Sequence, residues 1–362
     1  MKVLLLFQGG GSLGAFGCGA WLALSERMRE AGAELVGVAG ASIGAINSAL
    51  IARHHGTPDW GAGLLEAFWR ERLATPSFPF LGPADVWPLS AAVPGGSVRS
   101  WNGVLTGLLL GNRALYRSIP AHWTPYAALH RARMPLLDRS RMLQTLQEAF
   151  GRYGGPGHDG PWLAVPAVDL EAGELRLFGS DRESIEPLHL AASSAVPLLF
   201  EPVEIDGRLY WDGDMIRHSM VPLALEQLKA SGRLDDDADL LIISIEQMPR
   251  RSAVPPVAGL ELATRMLELM QQDKFAGPNQ DPATRPRLLQ IHREALPHDT
   301  ISSHYDYSPE RIDELIHQGR RMAEQAWQAG PATRPADPAQ PPAARGRAPE
   351  RKAAARAPAP RM

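Results

Sequence analysis

Apolar positions fall into two rhythms along the first fifty residues. Val3 to Phe7 is an unbroken apolar run of strand length, and beyond a glycine loop reaching Gly14 the residues Ala20, Leu24 and Met28 recur at helical spacing. The succession then repeats, with an apolar run from Leu35 to Ala39, a tight glycine turn and a helical pattern from Ile43 to about His55. Strand, loop and helix taken twice predict a parallel sheet flanked by helices. The fold class expected is α/β, a three-layer α/β/α sandwich with a mainly parallel central sheet.

From about Thr75 to Pro135 this regularity gives way to prolines, glycines and aromatics, among them Trp87, Trp101, Trp123 and Tyr126. The segment reads as a cover over the functional edge of the sheet, or equally as ordinary loop packing. Patterning resumes at Leu163 to Leu170 and Glu174 to Phe178. Two alternating runs, Val203 to Ile205 and Arg208 to Trp211, flank Asp206-Gly207, the signature of a type I′ hairpin. Leu240 to Ile245 reads as a buried parallel strand, Pro222 to Lys229 as a helix, and Pro309 to Trp327 as a late amphipathic helix. Past Gly330 the chain is mostly Ala, Pro and Arg, which cannot build a core. The expected division is therefore one domain over residues 1–330, ending in a helical extension, and a disordered tail over 331–362.

The chain has 362 residues, 44% of them hydrophobic, and a formal net charge of −3. The tail carries seven Lys/Arg against Asp337 and Glu350, a local +5 that leaves −8 on the body. An acidic body offers no footprint for nucleic acid, whose binding depends on neutralising phosphates. The basic tail suggests a solvated linker, with peripheral contact to anionic lipid as a second reading. A single cysteine, Cys18, excludes an internal disulfide and a Cys-built zinc site, which points to a reducing cytoplasm. The short apolar start is unlike a signal peptide, and Val104 to Leu110 is far too short to span a bilayer.

Candidate chemistry lies in three glycine motifs. Gly40-Ala41-Ser42-Ile43-Gly44 stands between an apolar strand and a helix, where a G-x-S-x-G elbow would present Ser42 on a sharp turn at a helix N-terminus. A plainer reading makes Ser42 an N-cap. Gly9-Gly10-Gly11-Ser12-Leu13-Gly14 also joins a strand to a helix, and lets backbone N–H groups approach either an oxyanion or a pyrophosphate. Its spacing satisfies the dinucleotide fingerprint G-x-G-x-x-G, which calls for an acidic residue after the second strand. Glu34 instead precedes that strand, and the ribose position holds the serine turn. Asp212-Gly213-Asp214 ends a strand, where a carboxylate can aim into a site at the sheet's carboxyl edge. None of His189, His218, His292, His298 and His304 lies in a distinctive motif.

In this order the three motifs resemble the patatin-like phospholipase family, which has a glycine-rich loop, a G-x-S-x-G elbow and a later Asp-Gly-Gly or Asp-Gly-Ala. The likeness extends through Gly44 to Ala49 and Ala191 to Phe200, and covers most of residues 3–223. It implies hydrolysis of acyl esters, often of lipids, by a Ser-Asp dyad that needs no histidine, metal or cofactor. By resemblance Ser42 is the nucleophile and Asp212 its base, with Gly9, Gly10, Gly11 and Gly14 forming the oxyanion loop. Within that loop the N–H groups of Gly10 and Gly11 would face the oxyanion. Gly40 and Gly44 would shape the elbow and Gly213 support the base. The implied partner is a lipid or other acyl-ester substrate. Asp214 stands where the family has Gly or Ala, and Met215 to Met220 lacks the usual Asn-x-Pro-like continuation. A second carboxylate there would either repel Asp212 or point to solvent. A degenerate, lipid- or partner-binding member of the family is the alternative function.

Overall fold

A computed structural model describes residues 1–81, 95–119, 137–197, 199–215, 220–251, 265, 266, 269, 287–296, 299 and 303–331. The strands are β1 (Lys2–Phe7), β2 (Glu34–Gly40), β3 (Arg117–Ser118), β4 (Leu137–Asp138), β5 (Tyr153–Gly154), β6 (Trp162–Asp169), β7 (Glu174–Gly179), β8 (Ser184–Ile185), β9 (Val203–Ile205), β10 (Arg208–Asp212), β11 (Leu240–Glu246) and β12 (Arg287–His292). The helices are α1 (Gly14–Glu30), α2 (Ile43–His54), α3 (Ala62–Ala67), α4 (Gly95–Leu109), α5 (Ser140–Ala149), α6 (Pro187–Ser193), α7 (Met220–Ala230) and α8 (Pro309–Ala329). All described residues belong to the compact unit Met1–Pro331.

The main sheet runs β12-β11-β1-β2-β6-β10-β9, with β7 beside β6. Neighbours from β12 to β6 are parallel, whereas β7, β10 and β9 enter antiparallel. Strand β1 is central and buried on both faces, so its sequence is apolar without alternation. Its odd residues Val3, Leu5 and Phe7 share a core with α1, α2 and α8. Leu4 and Leu6 pack on the other side with Val221, Ala224 and Leu228 of α7. Helices therefore cover both faces, giving the α/β/α sandwich that the two rhythms predict.

A proline in the middle of β6 is tolerated for a local reason. The first half of that strand pairs with β2 up to Ala164, and the second half with β10 from Ala167. Pro166 falls in the gap between these partners, so its missing N–H breaks no ladder there. At the hairpin, Asp206 and Gly207 both take positive φ, 51° and 75°, as a type I′ turn requires. Helix α8 lies against α1 through Gly19 and Gly319. A methyl on Gly19 would overlap the Ile316 carbonyl, and one on Gly319 the Phe16 carbonyl.

Two elements depart from expectation. Part of the irregular stretch after Thr75 is helical, since α4 runs from Gly95 to Leu109 and buries Val98 and Val104. Strand β12 extends the parallel sheet past β11, although its edge position leaves only Leu289 and Ile291 fully buried. Trp87, Trp123, Tyr126, His218, His298 and the tail from residue 332 lie outside the described residues.

Candidate active site

Strands β1 and β2 end side by side, Phe7 pairing with Gly40, so the glycine loop and the serine turn leave the sheet at one edge. That edge is the carboxyl end of the parallel strands, where open α/β sheets form their sites. Ser42 adopts φ 55° and ψ −127°, a strained conformation for any residue with a side chain. Its flanking glycines permit the turn, because a methyl on Gly44 would come 2.6 Å from the Gln8 carbonyl and one on Gly40 would overlap the carbonyl of Gly44. Ser42 makes no side-chain capping bond to α2, which removes the plain N-cap reading. Its N–H donates to both the carbonyl and the hydroxyl oxygen of Ser193, each at 3.1 Å.

Gly10 (φ 147°) and Gly11 (φ 56°) bend the loop between β1 and α1. Gly14 begins α1 where a methyl would strike Ile43 and Trp69, so it brings the starts of α1 and α2 together. Asn47, one turn into α2, donates to the Gly14 carbonyl at 2.9 Å and accepts from Trp69 Nε1 at 2.9 Å. From the far end of the chain, Ser303 accepts from Ser12 Oγ at 2.7 Å, and His304 Nδ1 lies 3.2 Å from the Gly10 carbonyl. A methyl on Gly11 would overlap the His304 carbonyl. The glycine loop is thus braced by residues almost three hundred positions away.

Asp212 closes β10 and is buried, its N–H donating to the Ala195 carbonyl at 3.0 Å. Gly213 follows where a methyl would overlap the Pro166 carbonyl. Its N–H donates to Ser193, the residue that also holds Ser42. Asp214 is neither distant nor solvated. It is 2% exposed, its N–H donates to Asp212 Oδ1 at 2.8 Å, and its Oδ2 accepts the Gly9 N–H at 2.7 Å. The expectation that it could point to solvent is therefore corrected, and the Gly9 amide is directed at Asp214.

A cavity of about 170 Å³ collects these residues. Its polar lining residues include Ser42, Asp212, Asp214, Gly10, Gly11 and His304, and its apolar ones Ile46, Leu115, Val196, Leu199, Phe200 and Met248. His304 and Tyr116 escaped sequence reasoning, since no local motif marks either. Behind the wall, Arg139 donates to the carbonyls of Ala191 and Glu201 and lies 5.0 Å from the centre of the Phe200 ring. Burial pushes its guanidinium down to about 10, while the negative charges of Asp212 and Glu201 act to raise it. Of the later histidines named from the sequence, His189 is engaged with Glu186 and Glu183, and His292 with Glu246.

The sequence model of the patatin-like phospholipase family matches residues 5–225, a span that contains every residue of the three motifs. The chain belongs to the patatin-like phospholipase family, whose members are lipid ester hydrolases. Among solved structures, VipD from Legionella pneumophila is similar at 15% identity and a TM-score of 0.39, covering 91% of this chain and 67% of VipD. The type III effector protein ExoU is similar at 16% identity and a TM-score of 0.31, covering 90% of this chain and 52% of ExoU. The complex of ExoU with SpcU from the type III secretion system of Pseudomonas aeruginosa matches at 16% identity and a TM-score of 0.27, covering 90% of this chain and 52% of that one. This chain thus spans about half the length of ExoU. No curated protein matches it. Among the described residues no helix is long and apolar enough to cross a membrane.

Proposed function

We propose that this patatin-like protein hydrolyses carboxylic esters of lipids, in the manner of a phospholipase A, through a Ser42–Asp212 dyad. The observation that carries the reading is the strained, uncapped Ser42 in the wall of the cavity that Asp212 also lines. Asp212 takes the hydroxyl proton as Ser42 Oγ bonds to the acyl carbon, and the carbonyl π pair moves onto oxygen. The N–H groups of Gly10 and Gly11 stabilise that oxyanion, with the positive end of α2 adding to the field. Collapse re-forms the carbonyl and breaks the ester bond, and the departing alkoxide takes the proton back from Asp212. Water then attacks the acyl-serine, giving its proton to Asp212, and the fatty acid leaves as Ser42 regains its own. No metal or cofactor enters this scheme.

The apolar wall of Ile46, Leu115, Val196, Leu199, Phe200 and Met248 suits an acyl chain, each buried methylene contributing about 0.8 kcal/mol. We take the cytoplasm as the compartment, on the single buried Cys18, with any peripheral membrane contact falling to the basic tail. The test is release of p-nitrophenol from a short ester by the wild type and by Ser42→Ala. Turnover well above the variant is expected. A wild type no faster than Ser42→Ala would leave the chain as a lipid-binding member of the family.

A further inference from the structure

Helix α4 is inverted relative to an ordinary surface helix, which turns its apolar stripe to the core. Besides Val98 and Val104, its inward residues are small or polar. Asn102 and Thr106 are buried, a methyl on Gly103 would overlap the Asp306 carboxylate, and one on Gly107 the Tyr305 carbonyl. Trp101, Leu105 and Leu108, at the spacing of one helix face, remain only half-buried, and Leu109 and Leu110 after them are exposed. Thr106 Oγ1 accepts the Phe78 N–H at 2.8 Å and Asn102 Oδ1 the Leu81 N–H at 2.9 Å, which lays the 78–81 segment along the helix. The Phe78 and Phe80 rings, 4.8 Å apart, enlarge the apolar surface, in which Phe78 and Leu110 are 54% and 55% exposed.

This surface joins the catalytic cavity. Tyr305, whose carbonyl meets Gly107, lines that cavity, as does Tyr307, whose carbonyl accepts the N–H of Thr75 just before Phe78. Between Asp85 and Asp138 the sequence holds five arginines and no carboxylate, although residues 1–330 together carry −8. One of the five, Arg113, is exposed three residues beyond Leu110. We propose that the outer face of α4, with Phe78 and Phe80, is the surface by which the protein docks on a bilayer containing anionic lipid, setting the cavity wall against the phase from which an acyl ester enters. The inference rests on the hydrolase reading above and adds an apolar contact on the body to the charge of the tail. An ester that crossed water to reach Ser42 would expose every methylene of its acyl chain, a cost that a face inserted in the interface avoids. Arginines in the same stretch meet the anionic headgroups. A second copy of this chain fits the face less well, because a two-fold contact would set the carboxylate-free stretch against itself.

Sedimentation of the full chain with vesicles of phosphatidylcholine and phosphatidylglycerol reads the docking, and hydrolysis of p-nitrophenyl butyrate reads the site separately. Phe78→Ser combined with Leu110→Ser removes two side chains that do not line the cavity. Vesicle affinity should fall by about tenfold for each, since each forfeits part of a full apolar burial, while turnover of the soluble ester stays at the wild-type level. Salt that screens the tail should weaken binding by both proteins and preserve the difference between them. Should the double variant not fold, Leu110→Ser alone, beyond the end of α4, is read in the same way with a single tenfold step. Undiminished sedimentation of a folded variant overturns the proposal, as does a wild type that does not sediment with the vesicles. A wild type that light scattering shows to be a dimer, with the variant a monomer, overturns it in favour of a second copy. Equal sedimentation with phosphatidylcholine alone overturns the anionic requirement. Ser42→Ala should sediment like the wild type, so a wild type no faster than Ser42→Ala on the p-nitrophenyl ester would end the hydrolase reading while the docking result stays readable.

Discussion

The Ser193 carbonyl accepts the N–H of Ser42 at 3.1 Å and also the N–H of Gly213 at 3.3 Å. One buried residue at the end of α6 thus ties the turn of the nucleophile to the turn that follows the proposed base. A positive-φ serine costs on the order of 1–3 kcal/mol and persists only where its surroundings over-determine it. The Ser193 hydroxyl supplies a second acceptor for the same amide, at 3.1 Å. Ser193→Ala keeps the carbonyl and loses that acceptor. We expect kcat on a short ester to fall by about tenfold with KM little changed, since the loss is one of alignment and not of substrate contact. An unaltered kcat in steady-state assays would mean that the carbonyl alone fixes the turn.

If Ser42 and Asp212 act as one unit, Ser42→Ala, Asp212→Asn and the double variant should all reach the same residual rate, because removing either member already removes the function of both. Thermal unfolding should show each variant folded. His304 lies 3.2 Å from the Gly10 carbonyl, and His304→Ala should cost less than either dyad variant because His304 positions the glycine loop and takes no proton in the dyad scheme. Should His304→Ala match Asp212→Asn in effect while still folded, the two-residue mechanism would have to give way to one with a histidine base.

The elements most legible in the sequence are those whose physics is local. The unbroken apolar runs of β1, β2 and β11 foretell burial on both faces, and Asp206-Gly207 foretells its turn because few other pairs accept two positive φ values. Gly40, Gly44 and Gly213 stand where a methyl would meet neighbouring backbone, a demand that the motif encodes directly. Contacts across long sequence separations leave no such mark. Ser12 meets Ser303, Gly9 meets Asp214 and Arg139 acts on Asp212, yet nothing in the sequence around either member of a pair names its partner. The place of Asp214 was undecidable from sequence for the same reason, since its direction is set by an amide more than two hundred positions earlier. Helix α4 escaped because its opening Gly95-Gly96 resembles loop chemistry and its helical face is short.

Acid should weaken the docking of the segment before α8 through Asp299. Burial pushes the Asp299 carboxyl up, but the guanidinium groups of Arg293, at 2.7 Å, and Arg311 outweigh it and hold the carboxyl below its ordinary 3.8. A folded-state value below the unfolded one gives stability that is complete above about pH 4 and is lost as pH falls toward the folded value. Asp299→Asn removes the carboxylate that Arg293 and Arg311 share, while Arg311 keeps its pair with Glu314, and should cost on the order of 3 kcal/mol at neutral pH. The variant should also lose less further stability than the wild type between about pH 4 and pH 2, since the titrating group is gone. Urea midpoints across that range test both points, and parallel acid profiles for the two proteins would rule out Asp299 as the source.

The last prediction concerns Tyr116, which packs edge-on against Phe200 and Tyr307 in the cavity wall. Its hydroxyl oxygen is buried and finds no hydrogen-bond partner among the described residues. Burial, with Tyr307 and Tyr305 nearby, pushes the phenol well above its usual range, so the group is a neutral donor around neutral pH. An unsatisfied buried donor costs about 1–3 kcal/mol, and Tyr116→Phe removes it without opening a cavity. The substrate-free variant should therefore be more stable than the wild type, by about 1 kcal/mol in denaturant unfolding. If the hydroxyl awaits a substrate oxygen, the same variant should lose roughly tenfold in kcat/KM, the value of about one hydrogen bond. Stability gained with kcat/KM unchanged would make the orphan hydroxyl a packing defect. Stability lost would show that the hydroxyl is already satisfied in solution, and the cavity would then hold one polar contact fewer for its ligand.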